Sequence, residues 1–170
     1  RFVDQGCTLV DTTCGSVLNV WKNVNRYAAE GYTSIIHGKV AHEETRATAS
    51  QALKHPDGQY LVVLNLAEAA LVCRYIRGDS DADRFFERFA RAVSPGFDPD
   101  RDLRRVGLAN QTTMLMTESL AIGEMFRLAM RDRYGEAALS AYFQAFDTIC
   151  SATQDRQDAF LGLLDGPRLD

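Results

Sequence analysis

Apolar residues follow two alternating spacings along this chain. Short runs rich in β-branched residues predict strands, and the longer segments between them carry apolar residues at helical spacing. Residues 14–29, for example, place Val17, Val20 and Val24 on one face of a helix, and Gly31 closes the segment. Strands that alternate with helices predict an α/β fold, in which right-handed crossovers build a parallel sheet with helices on both faces.

The same two spacings predict eleven elements and one long loop. The predicted strands cover residues 8–11, 33–36, 59–64, 105–109 and 143–149. The predicted helices cover residues 14–29, 43–53, 67–76, 79–93, 116–134 and 151–164. Prolines, a glycine and aspartates predict a loop over residues 94–100. In α/β folds ligands bind beyond the carboxyl ends of the strands, so the residues that follow each strand are candidates for function.

Composition and charge exclude several classes of protein. The chain has 170 residues, of which 46% are hydrophobic and 25% are charged, as in globular domains that fold without disulfides or a structural metal. Its 19 lysines and arginines and 23 aspartates and glutamates give a net charge of −4 without a basic block, which argues against nucleic-acid binding. No stretch is apolar over the ~20 residues that a membrane span requires, and the N-terminus lacks a secretory signal pattern. We therefore expect a soluble, intracellular protein, and Arg1 in place of an initiator Met indicates a segment of a longer one.

Two segments of the chain resemble each other around a cysteine. Residues 10–15 and 146–151 share the pattern apolar-Asp-Thr-x-Cys-small, and each joins a predicted strand to a predicted helix. A helix N-terminus favours the thiolate, which is the form that binds zinc and iron–sulfur clusters. Cys14 and Cys150 can therefore converge on one site if two α/β units face a common centre. The simpler alternative is that each is a small buried residue at a helix start, as we expect for Cys73 within its helix.

Further polar residues lie where predicted strands end. His37 ends a strand, and His42, Glu43 and Glu44 open the next helix, where backbone N–H groups and an imidazole can hold an anion. Simpler interpretations are a histidine of the surface or core and a glutamate that complements the helix dipole. Residues 110–113 follow another strand, and their threonines are candidates for capping the next helix. Because these residues lie at one edge of the predicted sheet, together they indicate a pocket.

These motifs together resemble the 4-hydroxy-3-methylbut-2-enyl diphosphate reductases, the iron–sulfur enzymes that end the methylerythritol phosphate route to isoprenoids. The resemblance rests on residues 10–14, 42–44, 110–113 and 147–157, which occur in the order seen in that family. The Asp-Thr-Ile-Cys and Gln-Thr-Thr segments are the most specific. Residues 79–102 resemble the longer insertion of the branch that includes cyanobacterial and plastid enzymes.

The resemblance implies three similar α/β units around a [4Fe–4S] cluster that three cysteines hold. It assigns Cys14 and Cys150 as two of these ligands, and the third belongs to a glycine-rich motif that these residues do not contain. The chain is therefore expected to be the central part of such an enzyme. Residues 1–146 would form one α/β unit, and residues 147–170 the incomplete start of the next.

By the same resemblance, His42 contacts the substrate diphosphate, Glu44 delivers protons, and Thr112 orients the substrate and relays a proton. The complete enzyme would form isopentenyl and dimethylallyl diphosphate by reductive dehydration, with ferredoxin or flavodoxin as its electron donor. It would act in the cytoplasm, or in the plastid stroma of a plastid-bearing source. The other diphosphate contacts of the family have no counterpart in this sequence, so these 170 residues alone are expected to be inactive.

Two other interpretations remain open from the sequence. A non-catalytic α/β module that binds a phosphorylated ligand or a partner chain would explain the missing third cysteine. A zinc site formed by Cys14, Cys150, His37 and His42 is the weaker alternative, because their spacing matches no compact zinc signature and zinc would not serve a reduction.

Overall fold

The computed structural model describes residues 12–145 and 151–165, with side chains described for residues 155–163 of the second range. The strand predicted over residues 8–11 and the candidate ligand Cys150 lie outside the described residues. The same holds for the last four residues of the strand predicted over residues 143–149.

A parallel four-stranded sheet forms the centre of the described fold. Its strands are β1 (Thr33–His37), β2 (Tyr60–Val63), β3 (Val106–Asn110) and β4 (Phe143–Ala145), in the spatial order β2-β1-β3-β4. Every neighbouring pair is parallel. Every residue of the two central strands, β1 and β3, is buried, as expected for strands that are covered on both faces. The predicted α/β fold with a parallel sheet is confirmed.

Two pairs of helices cover the sheet, and the described residues form eight α-helices in all. They are α1 (Gly15–Ala29), α2 (Glu43–Ala52), α3 (Leu66–Arg77), α4 (Ala82–Phe89), α5 (Pro99–Asp102), α6 (Met116–Tyr134), α7 (Leu139–Tyr142) and α8 (Ser151–Asp165). α1 packs against α2, and α3 packs against α6. The crossovers from β1 to β2 and from β2 to β3 run in opposite directions, so right-handed connections place α2 and α3 on opposite faces. None of the described helices combines the length and apolar character that a membrane span requires.

Helix α1 contacts the sheet closely at a glycine of β3. The fully buried ring of Tyr27 lies over Gly107, and the Tyr27 hydroxyl donates a hydrogen bond to the Leu108 carbonyl at 3.0 Å. A Cβ at Gly107 would lie 2.6 Å from atoms of this ring. The glycine is therefore required by the close approach of helix and strand.

Replacing Gly107 by alanine should destabilise the protein by about 1–3 kcal/mol, because neither the buried ring nor the central strand can yield without loss of packing. Thermal unfolding of the full-length protein measures this. Gly123→Ala is the matched control, since the nearest contact of a Cβ there among the described residues is a Leu108 side-chain carbon at 3.4 Å. Equal melting temperatures for the two variants would contradict the prediction.

The segment from 79 to 102 folds onto the outer edge of β2. Phe85 and Phe89 of α4 are buried, and the Phe85 ring stacks on Phe97 with centroids 5.9 Å apart. Residues 92–94 then run antiparallel to β2. The N–H of Val62 donates to the Ala92 carbonyl at 2.8 Å, and the N–H of Ser94 donates to the Tyr60 carbonyl at 3.1 Å. The backbone groups on the outer side of β2 are thus hydrogen-bonded to residues 92–94 of the same chain.

This segment is also where the sequence-based boundaries are wrong. The helix predicted over residues 79–93 is shorter, because the chain leaves α4 after Phe89 to pair with β2. The loop predicted over residues 94–100 includes the start of α5, where Asp98 accepts a hydrogen bond from the Asp100 N–H and Pro99 occupies the first turn. The sequence also missed α7 and the 3-10 turn Glu136–Ala138 before it.

Candidate functional site

The candidate residues gather at the carboxyl edge of the sheet. The C-terminus of α1 leads into the start of β1. Because its 15 residues extend over about 22 Å, its N-terminus lies toward the opposite end of the strands, where they finish. Cys14 therefore lies at the end of the sheet where β1 and β3 finish. The N-termini of α2 and α6 follow those strands directly, which brings His42, Glu44 and Thr112 to the same end. This is the edge that the order of strands and helices predicts for a ligand.

Glu44 and Thr112 contact each other across this edge. The Thr112 backbone N–H donates a hydrogen bond to Glu44 Oε1 at 2.6 Å, although 68 positions separate the two residues in sequence. Glu44 is half-buried and Thr112 is buried. The sequence placed both at one edge but did not predict this bond. It fixes one carboxylate oxygen of Glu44 against the loop that carries Thr112.

Gln111 joins three segments of the site. Its Oε1 accepts hydrogen bonds from the Lys39 N–H and from Thr45 Oγ1, both at 3.1 Å, and its Nε2 donates to Thr113 Oγ1 at 2.6 Å. The simpler interpretation of the threonines as caps of α6 is wrong: Leu115 is the N-cap residue of that helix and makes no side-chain cap bond. No role was predicted for Gln111 from the sequence, although a polar amide directly after a buried strand is a signal for a residue that hydrogen-bonds neighbouring segments.

Replacing Gln111 by leucine should cost about 1–3 kcal/mol of stability, because the hydroxyl group of buried Thr45 would lose its acceptor. Thermal unfolding of the full-length protein measures the loss. Gln144→Leu serves as control, since the Gln144 amide bonds to the exposed Arg26 and Glu30 side chains. A loss of stability in Gln111→Leu no larger than in the control would contradict this role of Gln111.

His42 begins α2 as its N-cap residue. Nδ1 of its exposed ring accepts a hydrogen bond from the Glu44 N–H at 3.2 Å. A neutral imidazole whose Nδ1 accepts carries its proton on Nε2. His42 thus offers an N–H donor beside the N-terminus of α2, which is a favourable place for an anion.

His37 differs from His42 because it is only 2% exposed. Its Nδ1 lies 2.8 Å from Ser119 Oγ, and its Nε2 lies 3.7 Å from Glu118 Oε2. Burial lowers the pKa of the imidazole from its usual 6.5, opposed in part by the Glu118 carboxylate and the Leu64 backbone. His37 is therefore a neutral buried residue at neutral pH, and its contacts with α6 give no support to the zinc alternative.

Of the described cysteines, Cys14 has the properties of a metal ligand. It is exposed, immediately precedes α1, and its side chain makes no cap bond to the helix. Cys73 is buried in α3, as predicted, and burial raises the pKa of its thiol to about 12, which keeps it protonated and unreactive. Within the described ranges, no three His, Cys, Asp or Glu residues form a group that could hold a metal ion. Any metal centre at this edge therefore needs ligands in addition to Cys14.

Sequence comparison gives close relatives with a common name. Two proteins named 4-hydroxy-3-methylbut-2-enyl diphosphate reductase, from Synechococcus sp. (strain RCC307) and Prochlorococcus marinus (strain MIT 9211), are 55% and 52% identical to this chain. Each match covers 96% of this chain and 39% of the relative. One from Crocosphaera subtropica is 54% identical over 95% of this chain and 39% of its own length. The chain thus spans about two fifths of the curated relatives that it matches.

Solved structures support the fold, and a family match gives the family. The structure of (E)-4-hydroxy-3-methyl-but-2-enyl diphosphate reductase, described as the terminal enzyme of the non-mevalonate pathway, superposes with a TM-score of 0.52 at 21% identity, over 92% of this chain and 42% of that one. The structure of the E-1-hydroxy-2-methyl-but-2-enyl-4-diphosphate reductase from Plasmodium falciparum has the same TM-score and identity, over 88% of this chain and 35% of that one. These values support the fold of one unit within a larger protein. Residues 1–166 match the family described as LytB protein, and the chain belongs to this family.

Proposed function

We propose that this chain is the central part of a 4-hydroxy-3-methylbut-2-enyl diphosphate reductase. The full-length protein would convert its substrate to isopentenyl and dimethylallyl diphosphate by reductive removal of the allylic hydroxyl group. The observation that carries this proposal is the bond from the Thr112 N–H to Glu44 Oε1, because it joins a carboxyl group and a hydroxyl-bearing loop at one edge of the sheet. The names of the relatives supply the substrate class.

The substrate diphosphate would bind at the N-terminus of α2. His42 contributes its Nε2–H, and the first N–H groups of the helix add partial positive charge. The bond between His42 Nδ1 and the Glu44 N–H couples this anion site to the residue that we assign as proton donor. Binding of the diphosphate would therefore place the rest of the substrate beside Glu44.

Glu44 would protonate the departing hydroxyl group. Its Oε1 is occupied by the Thr112 N–H, so the proton of a neutral carboxyl group would reside on Oε2. The Thr112 hydroxyl would orient the substrate hydroxyl and relay the proton. Hydroxide is a poor leaving group, and a positioned acid lowers that barrier by general acid catalysis.

Cys14 would be one ligand of a [4Fe–4S] cluster. Its exposed thiol at the start of α1 suits a thiolate ligand, and it lies at the same edge as Glu44 and Thr112. Cys150 would be the second ligand, and a cysteine outside this chain the third. When bound, such a cluster would supply electrons and an open iron that acts as a Lewis acid. We propose ferredoxin or flavodoxin as the electron donor, and units bounded by residues 1–146 and 147–170.

The test uses the full-length protein, reconstituted without oxygen with iron and sulfide. We expect a brown protein with visible absorption that forms both isomeric diphosphates when a reduced donor is supplied. A folded protein that shows neither absorption nor product would refute the proposal. If that protein still bound inorganic diphosphate, the non-catalytic phosphate-binding module would be the correct function.

A further inference from the structure

We propose that His37 is a positioning residue that fixes the loop of residues 111–115, and with it Thr112, by tying both ends of that loop to the end of β1. This role deepens the proposed function, since Thr112 lies at the centre of the loop. It is distinct from the roles of Glu44 and His42, which face the substrate in the mechanism above.

His37 contacts the chain on both sides of the loop. At the start of the loop, the Gln111 N–H donates a hydrogen bond to the His37 carbonyl at 2.8 Å, in line with the β1–β3 register that pairs His37 with Asn110. After the loop, His37 Nδ1 lies 2.8 Å from Oγ of Ser119 in α6. One residue of β1 therefore sets the distance between the two ends of the loop.

The first turn of α6 depends on this contact because the helix has no side-chain cap. Leu115 occupies the N-cap position and makes no side-chain cap bond, so the usual restraint on a helix start is missing. The Ser119 N–H bonds to the Leu115 carbonyl at 3.0 Å, which places Ser119 in the turn directly after the loop. A bond from a central strand to this turn can replace the cap in holding the helix start.

The surroundings of His37 favour the position of α6 in which the ring contacts Ser119. The imidazole lines a mostly apolar cavity of about 260 Å³, with Ile35, Leu108 and Ile122 among its apolar walls and Glu124 and Arg127 among its polar ones. A buried polar group in such surroundings is costly unless it is hydrogen-bonded, so arrangements of α6 that lose the Ser119 contact are disfavoured. The ring thus selects one position of the helix where aliphatic packing alone would permit several.

The restraints on Thr112 come from two sides. Glu44 of α2 holds the Thr112 N–H at 2.6 Å, and the His37 contact fixes the α6 side of the same loop. If the α6 side is released, Glu44 still contacts the backbone, but the Thr112 hydroxyl loses its fixed direction. Misplacement of a reacting group by about 1 Å can cost roughly 10²-fold in rate, whereas substrate binding through His42 would be unaffected.

Steady-state kinetics of the full-length, reconstituted protein test this role. We expect His37→Leu and Ser119→Ala each to lower kcat by about tenfold or more with KM within threefold, and the double variant to lose no more than either single one. His37→Asn keeps a polar atom near the position of Nδ1 and should restore most of kcat. His55→Leu is the matched control, because His55 Nε2 bonds Asn25 Oδ1 at the same 2.8 Å but away from this loop.

Hydrogen exchange of residues 111–116 in the same variants separates this role from the proposed reaction. We expect exchange at these amides to speed up by about tenfold in Ser119→Ala and His37→Leu, and to stay unchanged in His55→Leu. Unchanged loop exchange in Ser119→Ala, or a kcat within twofold of the wild type, overturns the role of His37. Failure of the wild-type protein to turn over the substrate would instead overturn the proposed function, while the exchange data would still decide the role of His37.

Discussion

Glu44→Gln in the full-length protein is expected to lower kcat by about 10²- to 10³-fold, within the range that general acid catalysis supplies. Glutamine has the size of glutamate, and its carbonyl oxygen can still accept the Thr112 N–H that lies 2.6 Å from Glu44 Oε1. It has no acidic proton to deliver to the leaving hydroxyl group. The geometry of the loop and the visible absorption of the protein should therefore be retained while turnover is lost.

Glu43→Gln is the control for this experiment. Glu43 lies in the same turn of α2, but its carboxylate is exposed and pairs with Arg46 at 3.2 Å. Its replacement should leave kcat within about twofold, since exposed pairs of this kind contribute little. Wild-type turnover in Glu44→Gln would remove Glu44 from the role of proton donor, and an equal loss in both variants would point to the helix start as a whole.

Cys14→Ser is expected to abolish turnover and most of the visible absorption of the reconstituted protein. Serine replaces a thiolate by a hydroxyl group that stays protonated at neutral pH and binds iron poorly. The loss should exceed the roughly 10- to 100-fold that removal of an outer-shell partner costs at a metal site. Iron content, absorption and turnover, measured on the same sample, give three readouts of this change.

Cys73→Ala provides the comparison for Cys14→Ser. Cys73 is buried in α3, and its thiol stays protonated, so its removal takes away packing and no ligand. The variant should keep the iron content and turnover of the wild type. Iron and turnover at wild-type levels in Cys14→Ser would contradict the assignment of Cys14 as a ligand.

The sequence predicts the central part of this fold well because the signals there are local. α6 was predicted over residues 116–134 and has those bounds, since its apolar spacing and the glycine at position 135 act within the helix itself. The end of α4 depends instead on residues 92–94 pairing with β2, a contact between segments about 30 residues apart. Helical spacing carries no information about such a partner, so the predicted helix continued too far.

In the candidate site, too, the positions set by strand order were predicted, whereas the contacts between distant segments were not. Strand order alone places His42, Glu44 and Thr112 at one edge, because the carboxyl ends of parallel strands coincide. The bonds of Gln111 and His37 were not predicted, since they depend on side chains that reach across from α2 and α6. A glutamine or histidine after a buried strand can face solvent or the interior, and only the packed helices decide between them.

Residues 92–94 also limit how this unit can join other parts of a longer protein. They occupy the N–H of Val62 and both backbone groups of Tyr60, with the Ser94 hydroxyl accepting the Tyr60 N–H at 3.1 Å. A strand edge with free backbone groups can recruit a further strand from a neighbouring domain or molecule. On the β2 side such strand addition is blocked, so a neighbour must dock there through side chains and cannot extend the sheet.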